Sequence, residues 1–342
     1  MFYNFKIKTF LYKSNPFFSK FVLKYSEISA VAKAPKPSAP LRPFMVRISA
    51  GFSQGAARPA MFAMFSKNLF ETMPPFFPRK TVLITGAASG LGRALAVECH
   101  KQGAHLALLD IDFEGLQQLK SALQNDSQRI SIHRADVSEE VEIADTRKAV
   151  LEEHGGLDVL INNAGISISL PFEQMELADY RRLFEINFWG TVYCTKHFLP
   201  DLKQKPKSHL VNITSDFALL GFPGKTAYGS SKSAIMGFTN ALHTELAGSS
   251  VRASLVIPPP LDTGLVIRGK HIDGQKQRLE AEFLRKHGMP LDKAAKRIVR
   301  QLKRGKYRIV IGSLMFWIDR LSRVFPTAVH RAIGRVKINF VS

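Results

Sequence analysis

From Lys80 onward, short unbroken apolar runs alternate with longer stretches in which apolar positions recur three and four apart. The runs are Thr81–Thr85, His105–Asp110, Ile130–Asp136, Leu157–Ile161, His209–Thr214, Val251–Ile257 and Tyr307–Ile311. Runs this short, bounded by turn residues, are the mark of strands buried on both faces of a parallel sheet. The longer stretches predict helices over Leu91–Gln102, Phe113–Leu123, Glu139–His154, Leu177–Lys203 (with breaks), Ala227–Leu246 and Lys293–Leu302. Residues 258–290 read as a polar loop with an amphipathic stretch at Lys276–Lys286. Regular alternation of strand and helix requires right-handed crossovers. The expected fold class is therefore α/β: a Rossmann-type, doubly wound, seven-stranded parallel sheet in a single domain.

Charge changes the picture only at the ends. The chain carries a net charge of +20. Residues 1–77 hold 11 Lys/Arg against 2 Asp/Glu, and residues 288–342 hold 13 against 2, whereas residues 78–287 hold 24 of each. A balanced middle argues against a basic groove for nucleic acid, and no nucleic-acid partner is expected. Three divisions follow: a basic N-terminal extension over 1–77, a nucleotide-binding catalytic domain over 78–312, and a basic amphipathic segment over 313–342. The extension is rich in Lys, Phe and Ser and poor in acid; it reads as a transit sequence, a disordered arm, or residues ahead of a true start at Met61, Met64 or Met73. The C-terminal segment interleaves Phe316 and Trp317 with Arg320, Arg323 and Arg331, which suits either a membrane interface or packing on the domain. The location expected is cytoplasmic and peripheral to a membrane, or mitochondrial if the extension is a transit sequence. Cys99 and Cys194 read as small apolar residues, no metal-ligand spacing occurs, and the acceptor patterns at Asn125 and Asn212 are discounted for glycosylation.

The first apolar run ends in Thr85-Gly86-Ala87-Ala88-Ser89-Gly90-Leu91-Gly92 and opens directly into a helix. Gly86 permits a tight turn, Gly90 lets the backbone approach a pyrophosphate, and Gly92 lets the helix pack close to the sheet. Ser89 and Leu91 share that turn, and the helix N-terminus presents free N–H groups to an anion. Asp110, closing the second strand, suits the adenosine ribose hydroxyls or, more plainly, a turn in Asp110-Ile111-Asp112. A carboxylate there repels a 2′-phosphate, which favours NAD; Arg93 softens that preference, so NADP stays open. Asp136 and Val137 are placed to meet the adenine, and Asn163, Ala164 and Gly165 close the fourth strand beside the cofactor.

Tyr228 and Lys232 stand four residues apart, on one face of a helix. A free phenol, with a pKa of about 10, is a poor base near neutrality, and an adjacent ammonium acidifies it. Ser215, at the end of a strand, can bond a substrate oxygen. Alone, such a pair is equally a surface helix with a snorkelling lysine.

The ordered set of glycine turn, Asn162–Gly165, Asn187, Ser215, Tyr228 and Lys232 resembles the short-chain dehydrogenase/reductase family over roughly residues 80–265. The resemblance implies hydride transfer between a nicotinamide and an alcohol or carbonyl carbon. It makes Tyr228 the acid/base, gives Lys232 the nicotinamide ribose, has Ser215 position the substrate oxygen, and has Asn187 hold a water for proton relay. It also implies a homodimer or homotetramer through the helices near 177–203 and 227–246. One departure stands out. The family's Pro-Gly after the sixth strand is Pro258-Pro259 here, although Thr263 matches, so the path past the nicotinamide carboxamide must differ.

Candidate substrate contacts are Ser215, Phe217 and Phe222, with Ile166, Ser167, Leu170, Leu219, Leu220 and a lid over 264–290 around them. Most are apolar, which leans toward a lipophilic small-molecule alcohol or ketone, with plain core packing as the other reading. The remaining alternatives are a dinucleotide-binding regulator that has lost turnover, and a membrane-surface protein acting through its basic ends.

Overall fold

The seven long apolar runs become seven parallel strands of one sheet, and the polar loop expected before residue 290 becomes a structured lid. These features come from a computed structural model that describes residues 76–124 and 127–335. The extension up to residue 75, Asn125 with Asp126, and the last seven residues lie outside the described residues. In chain order the elements are β1 (Thr81–Thr85), α1 (Gly90–Lys101), β2 (His105–Asp110), α2 (Phe113–Leu123), β3 (Ile130–Arg134), α3 (Glu140–His154), β4 (Val159–Asn162), the short β5 (Ile168–Ser169), α4 (Leu177–Phe184), α5 (Gly190–Lys203) and β6 (Ser208–Ile213). There follow α6 (Thr226–Glu245), β7 (Val251–Ile257), α7 (Leu265–Arg268), the short β8 (Lys270–His271), α8 (Gly274–His287), α9 (Leu291–Lys303), β9 (Arg308–Val310), α10 (Ser313–Val324) and α11 (Pro326–Ile333).

The sheet order is β3-β2-β1-β4-β6-β7-β9, with every neighbouring pair parallel. The order reverses between β1 and β4, which opens a crevice beyond their C-terminal ends. Alternate strand residues serve opposite faces. Val82 and Ile84 join the core formed with Leu91 and Leu95 of α1 and Ile298 and Leu302 of α9, while Leu83 faces Val150 of α3, Phe198 of α5 and Leu242 of α6. Burial on both faces explains why β1 and β4 read as continuous apolar runs.

Two departures from the regular pattern position the site. Between α4 and α5 the helix passes through one π-helical turn, Glu185–Trp189, which carries the buried Asn187. In the lid, β8 pairs with β5 in a separate two-stranded sheet, tying the region after Thr263 to the segment after β4. The C-terminal segment breaks at Phe325-Pro326 into α10 and α11. Met315, Ile318 and Ile333 bury against Leu219, Leu220 and Leu255, and Asp319 accepts from Arg308 of β9 at 2.5 Å.

Candidate active site

A cleft of about 470 Å³ lies at the C-terminal ends of β1, β4 and β6, and its two halves come from different segments. The first half is the glycine turn. Gly86 has φ +66°, and a side chain there would meet the Cα of Ala164 at 2.9 Å. A Cβ on Gly92 would lie 2.0 Å from the Gly86 carbonyl oxygen, so α1 can start over the turn only because that atom is missing. Asn163 fastens β4 to this turn: its amide N–H donates to Thr85 Oγ1 at 2.9 Å and its side chain donates to the Thr85 carbonyl at 3.0 Å. At the N-terminus of α1 the Ser89 side chain makes no capping bond, so first-turn N–H groups stay free for an anion. Asp110 is fixed by the N–H groups of Ala88 (2.9 Å) and Asp112 (3.0 Å) and lines the cleft; Arg93 does not. Asp136, outside β3, accepts from Ser138 and from Arg182 at 2.8 Å. Burial would raise its carboxyl, but the Ser138 and Arg182 bonds hold it below the usual range. The glycine turn with its helix N-terminus, the anchored Asp110 carboxylate and the buried Lys232 ammonium in one cleft fit a nicotinamide dinucleotide.

The second half holds Ser215, Tyr228 and Lys232. Ser215 leaves β6 and caps the short turn Asp216–Ala218, while Tyr228 and Lys232 come from the first turns of α6. Lys232 Nζ has the Ile213 carbonyl at 3.4 Å and sits 5.9 Å from the Tyr228 ring, with its remaining donors available toward the Gly165 side of the cleft. Burial lowers its ammonium to about 8. The expected acidification of Tyr228 by Lys232 is not what the protein alone produces. Burial pushes the phenol well above its ordinary value, the Ser215 hydroxyl opposes this, and the charges of Asp216 and Glu280 push further the same way. A phenol so placed is held protonated, ready to act as an acid.

Of the residues singled out in the sequence, Gly86, Ser89, Gly90, Leu91, Asp110, Asp136, Val137, Asn163, Ala164, Gly165, Ser215, Phe217, Tyr228, Lys232 and Thr263 line this one cleft. Gly92 stands behind the turn. Asn187 also stands behind the wall: its side chain accepts from Ile166 N–H at 2.8 Å and donates to the Ile166 carbonyl and the Ser231 hydroxyl, which occupies the amide expected to hold a water. Phe222 is a correction. It packs edge-on behind Phe217, centroids 5.0 Å apart, and Leu219 and Leu220 are likewise outside the lining, because α10 and α11 draw the 219–222 loop into a core of its own; Leu170 is outside it too, packed with Met175 and Leu183. Pro258, Pro259 and Pro260 all border the cleft with trans peptides.

Four cleft residues escaped the sequence reading. Arg268 of α7 donates to Ser89 Oγ and to the Thr263 carbonyl, both at 3.1 Å, over the glycine turn. Lys225, Glu280 and Asp216 form a buried polar floor beside Tyr228. Lys225 Nζ meets Glu280 at 2.6 Å and also donates to the Ser169 hydroxyl, and His271 lies 3.1 Å from Glu280. Burial would raise the Glu280 carboxyl, yet His271 and Lys225 hold it below its usual value. An acid directly after Ser215 was the only local signal; the Lys225–Glu280 pair spans fifty-five positions and leaves none.

Comparison with known proteins agrees with this geometry. A profile described as short chain dehydrogenase matches residues 80–271. SadH of Mycobacterium tuberculosis, named as an oxidoreductase, is 35% identical over 75% of this chain and 95% of its own. The 3-ketodihydrosphingosine reductase of Bos taurus is 31% identical over 74% of this chain and 77% of its own. A crystal structure of a short chain dehydrogenase/reductase from Burkholderia phymatum in complex with NAD superposes with a TM-score of 0.69 at 25% identity, covering 74% of this chain and 96% of that one. The chain belongs to the short-chain dehydrogenase/reductase family. It is an oxidoreductase acting on CH–OH groups with a nicotinamide dinucleotide. Among the described residues no helix is long and apolar enough to cross a membrane.

Proposed function

We propose that this protein interconverts a lipophilic ketone and the corresponding secondary alcohol, with Tyr228 as the proton-transferring group and Ser215, Lys232 and Asn187 as its partners. The observation that carries this reading is the convergence of Ser215, Tyr228 and Lys232 on one wall of a cleft whose other wall is the glycine turn. The bound dinucleotide supplies or removes the hydride. Ser215 holds the substrate oxygen, Tyr228 delivers its proton to that oxygen in reduction and recovers it in oxidation, and Lys232 bonds the ribose and carries the compensating charge. Asn187 keeps Ile166, and thus the cleft wall, in place through two hydrogen bonds to Ile166 and one to the Ser231 hydroxyl. A complete proton-transfer set speaks against a regulator without turnover.

The test is oxidation of NADH by a panel of apolar ketones. Tyr228→Phe should bind NADH like the wild type and lose about 10²–10⁴-fold in kcat; retained turnover overturns the reading. NAD is the preferred cofactor, because Asp110 would face a 2′-phosphate with no cleft-lining Arg93 to offset it. A higher kcat/KM with NADPH than with NADH counts against this.

The catalytic domain proper spans 78–312, and 313–342 forms an appended basic segment. Homo-oligomerisation through α4–α6 is supported by the aromatic row Tyr180, Phe184, Phe188, Trp189 and Tyr193 along α4, the π-helical turn and α5, with Leu177 and Trp189 exposed. Trp189→Asp should lower the mass measured by light scattering. Peripheral membrane contact is supported by Phe316, Trp317, Val324 and Phe325, all exposed beside Arg320 and Arg323. Replacing these four with Ser should abolish sedimentation with anionic vesicles. This tests the contact better than truncation, which would uncover Leu219 and Leu220.

A further inference from the structure

The floor of the cleft next to Ser215 holds a carboxylate, Asp216, with one oxygen bonded by its neighbours and the residue facing the cleft. Asp216 is 6% exposed and lines the cleft. Its Oδ1 accepts from Ser215 Oγ at 2.8 Å and from the Phe217 N–H at 3.1 Å. No hydrogen bond or ion pair of the described residues reaches Oδ2. Lys225, the cation nearest in the floor, is committed to Glu280 and Ser169 and forms no ion pair with Asp216.

A serine hydroxyl has one proton to donate. Here Ser215 gives it to Asp216 and has the Tyr228 phenol as its other neighbour, so toward the cleft its oxygen is an acceptor. A ketone oxygen needs the opposite: the Ser215 proton must turn toward it. That turn removes a donor from a buried carboxylate, which is unfavourable unless another donor takes its place. The substrate itself is the available source, because Ser215 Oγ and Asp216 Oδ1 are as close as heteroatoms on neighbouring carbons.

We propose that Asp216 recognises a hydrogen-bond donor on the carbon beside the reacting carbon, so that the substrates are α-hydroxy or α-amino ketones and their vicinal diol or amino-alcohol products. The incoming donor replaces the Ser215 proton on the carboxylate and releases that proton for the carbonyl oxygen. The exchange conserves hydrogen bonds for a donor-bearing substrate and loses one for a plain ketone, so the site discriminates by an unmet polar group. Burial raises the Asp216 carboxyl to about 6, against the bonds from Ser215 and Phe217 and the charge of Lys225, so it is anionic near pH 7.5. The other charged or titratable groups facing this floor are Lys225, Glu280 and Tyr228.

The proposal rests on the ketone–alcohol reading above, and the test separates the two. Three ketones of equal chain length, with hydrogen, hydroxyl or ammonium on the neighbouring carbon, are assayed at pH 7.5 with NADH. The wild type should favour a donor-bearing ketone over the plain one by about 10²-fold or more in kcat/KM. A higher value for the ammonium compound identifies the carboxylate's charge as the recognised feature; a higher value for the hydroxyl compound identifies the hydrogen bond, with Lys225 opposing the second cation. In Asp216→Ala and Asp216→Asn the donor-to-plain ratio should collapse toward one, with intact NADH fluorescence showing that the variants are folded. Equal turnover of all three ketones by the wild type, or an unchanged ratio in folded Asp216 variants, overturns the proposal. No turnover of any of them with NADH bound overturns the ketone–alcohol reading and this proposal together.

Discussion

The cofactor half and the substrate half of this cleft do comparable work with different materials. On the cofactor side, position is set by backbone: Gly86 and Gly92 permit approaches that any Cβ would block, and Asn163 and Asp110 bond main-chain groups. On the substrate side, position is set by side chains meeting across long separations: Lys225 with Glu280, Ser169 with Glu280, His271 with Glu280. Both halves are well packed. Steric exclusion tolerates no substitution at its glycines, whereas a side-chain network can be exchanged as a unit.

The contrast is tested most severely at Gly92. An alanine there would place its Cβ 2.0 Å from the Gly86 oxygen and 2.7 Å from the Asn163 side chain, so the turn must move. Gly92→Ala should abolish NADH binding by fluorescence titration and lower the melting temperature; near-normal affinity would show that the turn adapts. The next effect is expected in the lid. Glu280→Gln alone leaves the Lys225 charge buried and should cost about 3–5 kcal/mol in denaturant unfolding, and the paired replacement Lys225→Met with Glu280→Met should cost less than that single change. Additive losses would mean that the pair does not act as a unit.

Smaller and opposite in sign is Asp216→Asn. A carboxyl at about 6 in the folded protein and near 4 unfolded stabilises the fold only while the folded state holds the extra proton, fully below about pH 4 and progressively less as pH rises through 6. Asparagine removes that dependence and should raise stability at pH 8 by about 1–3 kcal/mol, with a smaller gain at pH 5. Thermal melts at the two pH values check the sign. The smallest effect expected is at the border of the two halves. Arg268→Ala should weaken NADH binding about tenfold, with a shallower salt dependence, through loss of one exposed charge-assisted contact over the glycine turn. Unchanged titrations at low and high salt would remove Arg268 from the cofactor site.

The seven strands, the helices between them and the glycine turn were legible because each is a local pattern: an apolar run, a 3.6-residue period, small residues between strand and helix. Tyr228 and Lys232 were legible as a pair for the same reason. In the lid the amphipathic stretch at Lys276–Lys286 became part of α8, but the short strand was missed because Lys270-His271 carries no strand signal and becomes β8 only through pairing with Ile168-Ser169, about a hundred positions earlier. Phe222 was assigned to the cleft because it is apolar and near Ser215, but α10 and α11 claim it for another core.

The sequence by itself therefore determined the α/β sheet, the glycine turn after its first strand and the Tyr228–Lys232 pair on one helix face, since these depend on the propensities and spacing of neighbours along the chain. Only the tertiary structure decided which groups surround the Tyr228 phenol, that its burial, with the Asp216 and Glu280 charges added, holds it protonated, and that Arg268 overlies the glycine turn. Electrostatic surroundings and burial come from segments far apart in the chain, and no local pattern encodes how two distant side chains will share one low-dielectric pocket.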